Sequence, residues 1–186
     1  MTISQSVLKH LAKIKVSVEK IPHRTVFTAY DLAQTLKISL TDIAKTLLIK
    51  ADSQYYLVVV SASARLDLGK LKKLLKAKKV TLAKEKEMKT KFHVKPGAIT
   101  PFGTIHKVGV VMDKALGKTK TAIFGAGSFT ESLRVKISDY IRSEHPVQGT
   151  ITVPSGLKIQ LPKPKPKKKK RPIKKSGTSL KKTKKK

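Results

Sequence analysis

The side chain of this sequence that is best placed to do chemistry is Lys45. It closes a short predicted helix through Ile43, Ala44 and Lys45, and it directly precedes an apolar strand that begins at Thr46. A lysine there can stabilise the negative C-terminal end of a helix, or it can point into a pocket at the end of the strand and bind a negative group. The residue pattern alone supports both interpretations equally.

Two loops that contain glycines follow Lys45 along the chain. The first covers residues 96–103 (PGAITPFG) and the second covers residues 125–128 (GAGS). Glycine allows a backbone to approach a ligand closely, and it also allows the positive φ that many turns require. Each loop taken alone is better explained as an ordinary turn.

Several classes of catalytic and metal site are excluded or disfavoured. The chain has no cysteine, which excludes disulfides, cysteine-based zinc sites and a catalytic thiolate. It also has no G-x-S-x-G elbow, no Walker A motif and no G-x-G-x-x-G loop after a strand, and its acidic residues form no visible pair. The histidines show no metal-ligand spacing, and for each one a surface or core role is favoured: His10, His23, His93, His106 and His145. We therefore expect neither a metal nor a cofactor.

Short strands and helices must position these residues. Strands are predicted at residues 16–21, 46–49, 54–61, 80–82, 108–112, 119–124 and 133–137, and a last hairpin is predicted at 149–161. Helices are predicted at 29–36, 66–75, 84–91 and 139–143. The absence of a regular βαβ repeat indicates an α+β fold, a compact single domain around a mixed, mostly antiparallel, barrel-like sheet with flanking helices.

Details of the predicted helices can be checked against the structure. Thr28 is predicted to cap the helix at 29–36, with Asp31 in its first turn, and Ser138 is predicted to cap the last helix. Leu68 is predicted to face the core, together with other leucines of its helix. Residues 1–18 are amphipathic and carry no acid. An ordinary first helix is favoured there over an organellar transit peptide.

The charge is divided between two parts of the chain. The chain contains 42 lysine and arginine residues against 11 acidic residues, a formal net charge of +31. Residues 162–186 hold 14 of the basic residues and no acid, so we predict a domain at 1–160 and a disordered, lysine-rich tail at 161–186. A tail that binds polyanions is favoured over a solubilising or address segment. No apolar run approaches the length needed to cross a bilayer, so no membrane partner is expected.

The motifs also occur in a recognisable order. They are Phe27-Thr28, Ile43-Ala44-Lys45-Thr46-Leu47, residues 65–71 (RLDLGKL), the loop at 96–103, the loop at 125–128, and Leu133-Arg134-Val135. This set resembles the YbaK/prolyl-tRNA synthetase-associated editing-domain family, the trans-acting aminoacyl-tRNA deacylases. The resemblance covers roughly Val16 to Ile141.

The resemblance implies a fold, a reaction and a set of site residues. Members fold as a compact α+β domain around a mixed barrel-like sheet, and they hydrolyse the ester of a mischarged tRNA without a metal or a covalent nucleophile. Lys45 would hold the polar end of the substrate, and Gly97 and Gly127 are the other residues assigned to catalysis. The residues assigned to substrate binding are Phe27, Thr46, Ile99, Pro101, Gly125, Ala126, Ser128 and Ser132.

Partners and specificity follow from the same resemblance. The second glycine loop lacks the histidine, or the His-Pro step, that some members carry, so alanine, serine, threonine and cysteine all stay open as the amino acid removed. The expected partners are mischarged tRNA and an aminoacyl-tRNA synthetase, in the cytoplasm. The alternative is a non-catalytic RNA- or nucleic-acid-binding protein on the same fold. The enzyme hypothesis requires Lys45, Gly97 and Gly125 to meet at one small cleft.

Overall fold

Short helices and short strands follow one another along the described part of the chain, which is residues 5–14 and 16–155 of a computed structural model. The helices are α1 (Gln5–Ile14), α2 (Ala29–Leu36), α3 (Leu68–Leu75), α4 (Glu85–Phe92), α5 (Gly103–His106), α6 (Lys114–Gly117) and α7 (Ile137–Glu144). The strands are β1 (Val18–Pro22), β2 (Ala44–Ala51), β3 (Gln54–Ser61), β4 (Ala64–Leu66), β5 (Val80–Leu82), β6 (Gly109–Asp113), β7 (Thr121–Gly125), β8 (Glu131–Lys136), β9 (Val147–Gly149) and β10 (Thr152–Pro154). A 3-10 helical turn occupies Leu40–Asp42.

The strands of the described residues form three sheets. One has five strands in the order β5-β2-β3-β6-β9, one has three strands in the order β1-β8-β7, and β10 pairs with β4. The β3–β6 and β6–β9 pairs are parallel, and the other pairs are antiparallel. The predicted α+β class with mixed, mostly antiparallel pairing is confirmed, although the strands are divided among separate sheets and do not close one barrel. The tail predicted at residues 161–186 lies outside the described residues.

Strand β3 forms the centre of the larger sheet. It pairs with β2 over its full length and with β6 on its other side. Its residues Val58, Val59 and Val60 are fully buried, as expected for a strand that is covered on both faces. The predicted hairpin of β2 and β3 is confirmed, and Asp52 makes its turn at a φ of 52°.

Helix α2 begins as the sequence predicts. The Thr28 hydroxyl accepts a hydrogen bond from the Asp31 N–H at 3.0 Å, and the Asp31 carboxylate accepts one from the Thr28 N–H at 3.2 Å. This reciprocal capping box satisfies two N–H groups at the start of the helix. It also fixes the backbone next to Phe27.

Helix α1 packs into the main core. Val7 and Leu11 are buried in the cluster that also contains Phe102, Phe124 and Tyr140. The segment is therefore part of the fold, which supports the ordinary-helix interpretation. No helix among the described residues has both the length and the apolar character needed to span a membrane.

Two predicted helix boundaries are wrong. The helical turn before Lys45 ends at Asp42, and Lys45 is the second residue of β2. Pairing of β2 with β3 begins at Ala44, opposite Ser61, and this tertiary pairing overrides the local helical signal. The last helix begins at Ile137 with Lys136 as its N-cap, not with Ser138, because β8 runs directly into α7.

Two further predictions are wrong. Leu68 is 38% exposed and does not face the core, because Asp67 caps α3 and makes Leu68 its first residue. The predicted hairpin at 149–161 does not form over its described part, since β9 pairs with β6 and β10 pairs with β4. Residues 156–161 of that prediction lie outside the described residues.

Candidate active site

A cavity of about 260 Å³ lies between β2, the start of α2 and the two glycine loops. The residues proposed from the sequence that line it are Phe27, Lys45, Thr46, Gly97, Ile99, Gly125, Ser128 and Ser132. Its remaining lining is mainly apolar and includes Val26, Leu32 and Ile43. The convergence that the enzyme hypothesis requires is therefore present.

The strand pairing explains how Lys45 reaches the second glycine loop. Ile43 forms a parallel bridge with Ile123 of β7. Lys45 and Gly125 each follow this bridge by two residues, and both line the cavity. Gly125 in turn pairs with Ser132 across β7 and β8. Three residues that are far apart in sequence thus share one wall of the cavity.

The Lys45 side chain is half-buried and held at its tip. Its Nζ donates a hydrogen bond to the Ala64 carbonyl oxygen at 2.6 Å, and no carboxylate among the described residues forms an ion pair with it. Burial lowers the pKa of the Lys45 ammonium. An ammonium has three donors, so two remain for a ligand. A cation that is partly removed from water and has no counter-ion can stabilise negative charge strongly.

Thr46 presents an unsatisfied polar group. Its Oγ1 is buried and has no hydrogen-bond partner within the described residues. A buried hydroxyl without a partner costs about 1–3 kcal/mol of stability. The residue also lines the cavity, so a bound ligand could supply the missing partner.

Replacing Thr46 with valine should therefore affect stability and function in opposite directions. Valine has nearly the same shape and lacks the hydroxyl, so the free energy of unfolding should rise by about 1 kcal/mol. The activity that the sequence resemblance implies, deacylation of a mischarged tRNA, should fall several-fold. Urea unfolding and single-turnover deacylation measure the two effects.

Thr119→Val is the matched control for this substitution. The Thr119 hydroxyl donates to the Leu116 carbonyl oxygen at 2.8 Å, so its removal should lower the stability by about 1 kcal/mol. If Thr46→Val destabilises the protein as much as Thr119→Val does, the Thr46 hydroxyl is satisfied in solution.

The two glycine loops need glycine at defined positions. Gly97 has a φ of 82°, and a Cβ added there would lie 3.3 Å from the Phe27 carbonyl oxygen. Gly127 has a φ of 76°, and its added Cβ would lie 3.2 Å from the Thr100 Cγ2. Side chains rarely adopt this left-handed conformation, so both loops use glycine for their backbone geometry.

Three of the proposed site residues do not line this cavity. Gly127 lines a neighbouring cavity of about 540 Å³ together with Thr100 and His106. Ala126 is fully buried, and the Pro101 carbonyl oxygen accepts a hydrogen bond from the Tyr140 hydroxyl at 2.7 Å. These residues shape the two loops from behind the cavity wall.

An aromatic pair lies at the rim of the cavity. Phe27 is 68% exposed, and its ring centroid lies 5.2 Å from that of Phe129 at an angle of 51°. Both residues line the cavity. The rim therefore offers an apolar surface to an incoming ligand.

Sequence reasoning missed one polar pair at the cavity. The His23 Nε2 lies 2.9 Å from the Ser132 hydroxyl, and both residues line the cavity. They are 109 positions apart, and no local motif joins them. Only the pairing of β1 with β8, which aligns Pro22 with Glu131, brings them together.

The described residues contain no cluster of three or more histidine or acidic side chains that could hold a metal ion. Hydrogen-bond donors on a small, partly apolar cavity are suited to a ligand with a polar head and a small side chain.

Comparison with known proteins places this chain in a family. Residues 23–143 match the family model described as the aminoacyl-tRNA editing domain. This protein belongs to that family. The match includes His23, Lys45, both glycine loops and Ser132, and it confirms the family predicted from the motifs.

Relatives of this chain include larger enzymes, which it matches over only part of their length. The proline–tRNA ligase of Bacillus velezensis is 32% identical over 110 residues, which is 59% of this chain and 20% of the ligase. The prolyl-tRNA editing protein ProX of Acetoanaerobium sticklandii is 28% identical over 130 residues, which is 66% of this chain and 79% of that protein. This chain thus spans about a fifth of the length of the ligase.

A solved structure shows the same fold. The crystal structure of a protein proposed to be a trans-editing enzyme for prolyl-tRNA synthetase superposes with a TM-score of 0.70. The two chains are 21% identical, and the alignment covers 82% of this chain and 99% of the other. At this identity the comparison supports the α+β architecture alone.

Proposed function

We propose that this protein hydrolyses the ester bond that joins a wrongly attached, small amino acid to tRNA. The observation that carries the proposal is the meeting of Lys45, Gly97 and Gly125 at one small cavity in a chain of the editing-domain family. Such an activity removes mischarged tRNA before it reaches translation.

The reaction needs only moderate help from the protein. An aminoacyl ester is already activated, so positioning a water molecule and stabilising the developing oxyanion can supply several kcal/mol. Lys45 would bind the polar end of the substrate and stabilise the oxyanion with the donors that Ala64 does not use. Backbone N–H groups of the loop at 125–128 are a second proposed source of donors. The neighbouring ribose hydroxyl of the terminal adenosine can assist proton transfer.

The size of the cavity supports a small amino acid. Its volume of about 260 Å³ is below the range that is usual for drug-sized ligands, and its apolar wall includes Leu32 and Ile43. Alanine fits this wall directly. The unsatisfied Thr46 hydroxyl would also suit serine, threonine or cysteine, whose side chains carry a polar atom.

The names of the relatives suggest which tRNA to test first. Both are named for prolyl-tRNA or its ligase, so we propose mischarged proline tRNA as the substrate and prolyl-tRNA synthetase as a protein partner. The cytoplasm, where both are found, is the proposed location.

A deacylation panel tests the proposal. Proline tRNA charged with alanine, serine, threonine, cysteine or proline is incubated with the full chain, and loss of each ester is followed. Rapid loss of at least one small amino acid, with prolyl-tRNA spared, is the expected result. If every ester survives while the protein still binds tRNA, the chain is a non-catalytic RNA-binding protein on an editing fold.

The basic C-terminal segment is proposed to add affinity for tRNA. Residues 162–186 carry 14 basic residues, and their contacts with phosphates would release counter-ions. Removing them should raise the KM for mischarged tRNA and flatten its dependence on salt, with little change in kcat. The KM for mischarged tRNA, measured at salt concentrations from about 50 to about 200 mM, tests this expectation. An unchanged salt slope would show that the segment does not contact tRNA.

A further inference from the structure

We propose that His23 is a positioning residue that makes the Ser132 hydroxyl a fixed hydrogen-bond acceptor for the substrate. Both residues line the cavity that contains Lys45. The inference rests on the proposed deacylase function, and it assigns His23 a role that the sequence did not suggest.

The two ring nitrogens of His23 have different partners. The Nδ1 lies 2.8 Å from the Arg24 carbonyl oxygen, and a carbonyl oxygen can only accept, so the Nδ1 carries the proton. In a neutral imidazole the Nε2 then has a free lone pair. With that tautomer, the Ser132 hydroxyl, 2.9 Å away, donates a hydrogen bond to the lone pair.

This contact decides what Ser132 can offer to a ligand. A serine hydroxyl has one proton and two acceptor lone pairs, and the proton is used by His23. The remaining lone pairs can bind only a group that donates. A freely rotating hydroxyl could bind donors and acceptors alike, so the histidine turns an ambiguous group into a selective one.

The backbone holds both partners in place. Ser132 lies in the middle of its sheet, opposite Ile21 of β1 and Gly125 of β7. The His23 N–H donates to the Thr130 carbonyl oxygen at 2.9 Å. Ser132 is only 3% exposed, which limits competition from bulk water for its lone pairs.

Ser132 and Lys45 are complementary. Lys45 has donors only, so it suits the carbonyl or phosphate oxygens of an aminoacyl-tRNA end. Ser132 suits a donor on the same molecule. Two such donors lie next to the ester, the α-ammonium of the amino acid and the free hydroxyl of the terminal ribose. Together the two residues would fix the orientation of the ester.

The histidine tautomer can be measured without any assay of activity. Two-bond ¹⁵N–¹H NMR correlations of the full chain should show His23 protonated at Nδ1 and unprotonated at Nε2. The opposite tautomer would overturn the proposal even if the protein proves to be a deacylase. The expected tautomer stands even if the deacylation panel fails, so the two proposals can fail separately.

A double-mutant cycle tests whether His23 acts through Ser132. Ser132→Ala and His23→Phe should each lower kcat/KM by about tenfold, the size expected for a lost hydrogen bond to a polar or charged group. The double variant should lose no more than Ser132→Ala alone, since the histidine has no other task. Losses that multiply would show that the two residues act independently and would overturn the proposal.

His145→Asn is the matched control for the histidine. His145 is exposed, lies at the end of α7 with a φ of 43°, and is not among the residues that line the cavity. Asparagine tolerates this backbone conformation, so activity should not change. Thermal unfolding of all variants separates lost activity from lost folding.

Two substrate analogues identify the donor. A propionyl ester of tRNA lacks the α-ammonium, and a tRNA ending in 2′-deoxyadenosine lacks the ribose hydroxyl. Wild type should deacylate one of the two analogues more slowly than the normal substrate. If Ser132→Ala and His23→Phe no longer make that distinction, this analogue lacks the group that Ser132 binds. If the preference against both analogues is the same in wild type and Ser132→Ala, the hydroxyl accepts from neither group and the proposal is wrong. A covalent acyl ester on Ser132, trapped and detected by mass spectrometry, would likewise overturn it.

Discussion

Lys45→Ala should lower the rate of deacylation at saturating mischarged tRNA by about 100- to 1000-fold, the loss seen when one donor to an oxyanion is removed. Lys45 is half-buried at the cavity, and Ala64 holds its ammonium by one hydrogen bond of 2.6 Å. Among the described residues, Lys45 is the lysine that lines the cavity, so alanine would leave that wall without an ammonium group. Binding of uncharged tRNA should change little, because most of the charge of the chain lies elsewhere.

The matched control for this substitution lies on the same strand. Lys50 is also in β2, but it pairs with Glu87 at 3.3 Å and does not line the cavity. Lys50→Ala removes an equal charge from the same element and should leave kcat unchanged. Single-turnover deacylation and tRNA binding by both variants separate chemistry from affinity. Wild-type hydrolysis by Lys45→Ala would show that Lys45 has no part in the reaction.

The lowered pKa of Lys45 should set the upper pH limit of the activity. Burial disfavours the charged form and moves the pKa of this ammonium down from its ordinary value of 10.5. If the cation is the active form, activity that depends on it should be lost as pH rises through the lowered pKa. Any deacylation activity that the Lys45→Arg variant keeps should persist to higher pH than that of the wild type, because a guanidinium stays charged.

Local patterns in the sequence were sufficient for much of the fold. The capping box at Thr28 and the β2–β3 hairpin depend on neighbouring residues, and both are present. Lys45 was placed in a helix because Ser39 does cap a helical turn nearby. The strand begins earlier than predicted because Ser61 of β3 pairs with Ala44, and no local signal contains that pairing.

The residues of the candidate site that belong to short sequence motifs could be predicted from the sequence. Lys45, Gly97 and Gly125 belong to short motifs, and they meet at one cavity. The contact of His23 with Ser132 spans 109 positions and depends on the register of β1 with β8. The unsatisfied hydroxyl of Thr46 was also invisible, because a partner can be shown to be missing only after the surroundings are known. Long-range register, and not residue type, limits what the sequence reveals here.

Gly97→Ala should damage both stability and activity through one backbone contact. The φ of 82° at Gly97 is costly for alanine, by about 1–2 kcal/mol. The added Cβ would lie 3.3 Å from the Phe27 carbonyl oxygen and 3.5 Å from the Phe129 ring. The nearest of these atoms belongs to the backbone, which cannot rotate away as a flexible side chain can. The loop and the Phe27 segment must therefore separate.

That separation would open the cavity between two of its walls. Phe27 and Gly97 both line it, and the capping box at Thr28 ties the Phe27 segment to α2. The shift needed to relieve a contact of 3.3 Å is a few tenths of an ångström, which is less than the displacement of about 1 Å that can cost about 100-fold in rate. We expect kcat/KM to fall by about tenfold, and the free energy of unfolding to fall by about 1–2 kcal/mol. Urea unfolding and deacylation of the same preparations measure the two losses.

Substitutions at two other glycines separate the effect of backbone strain from the effect of the contact with Phe27. Gly125 also lines the cavity, has no positive φ, and would place its Cβ 3.7 Å from the Ile99 carbonyl oxygen. Gly125→Ala should therefore leave stability nearly unchanged. Gly127 has a positive φ of 76°, which alanine would adopt only with strain, but it lines the neighbouring cavity, so Gly127→Ala should match the stability loss of Gly97→Ala. If Gly97→Ala loses stability and Gly127→Ala does not, the contact of the added Cβ with Phe27, and not the positive φ, explains the loss at Gly97.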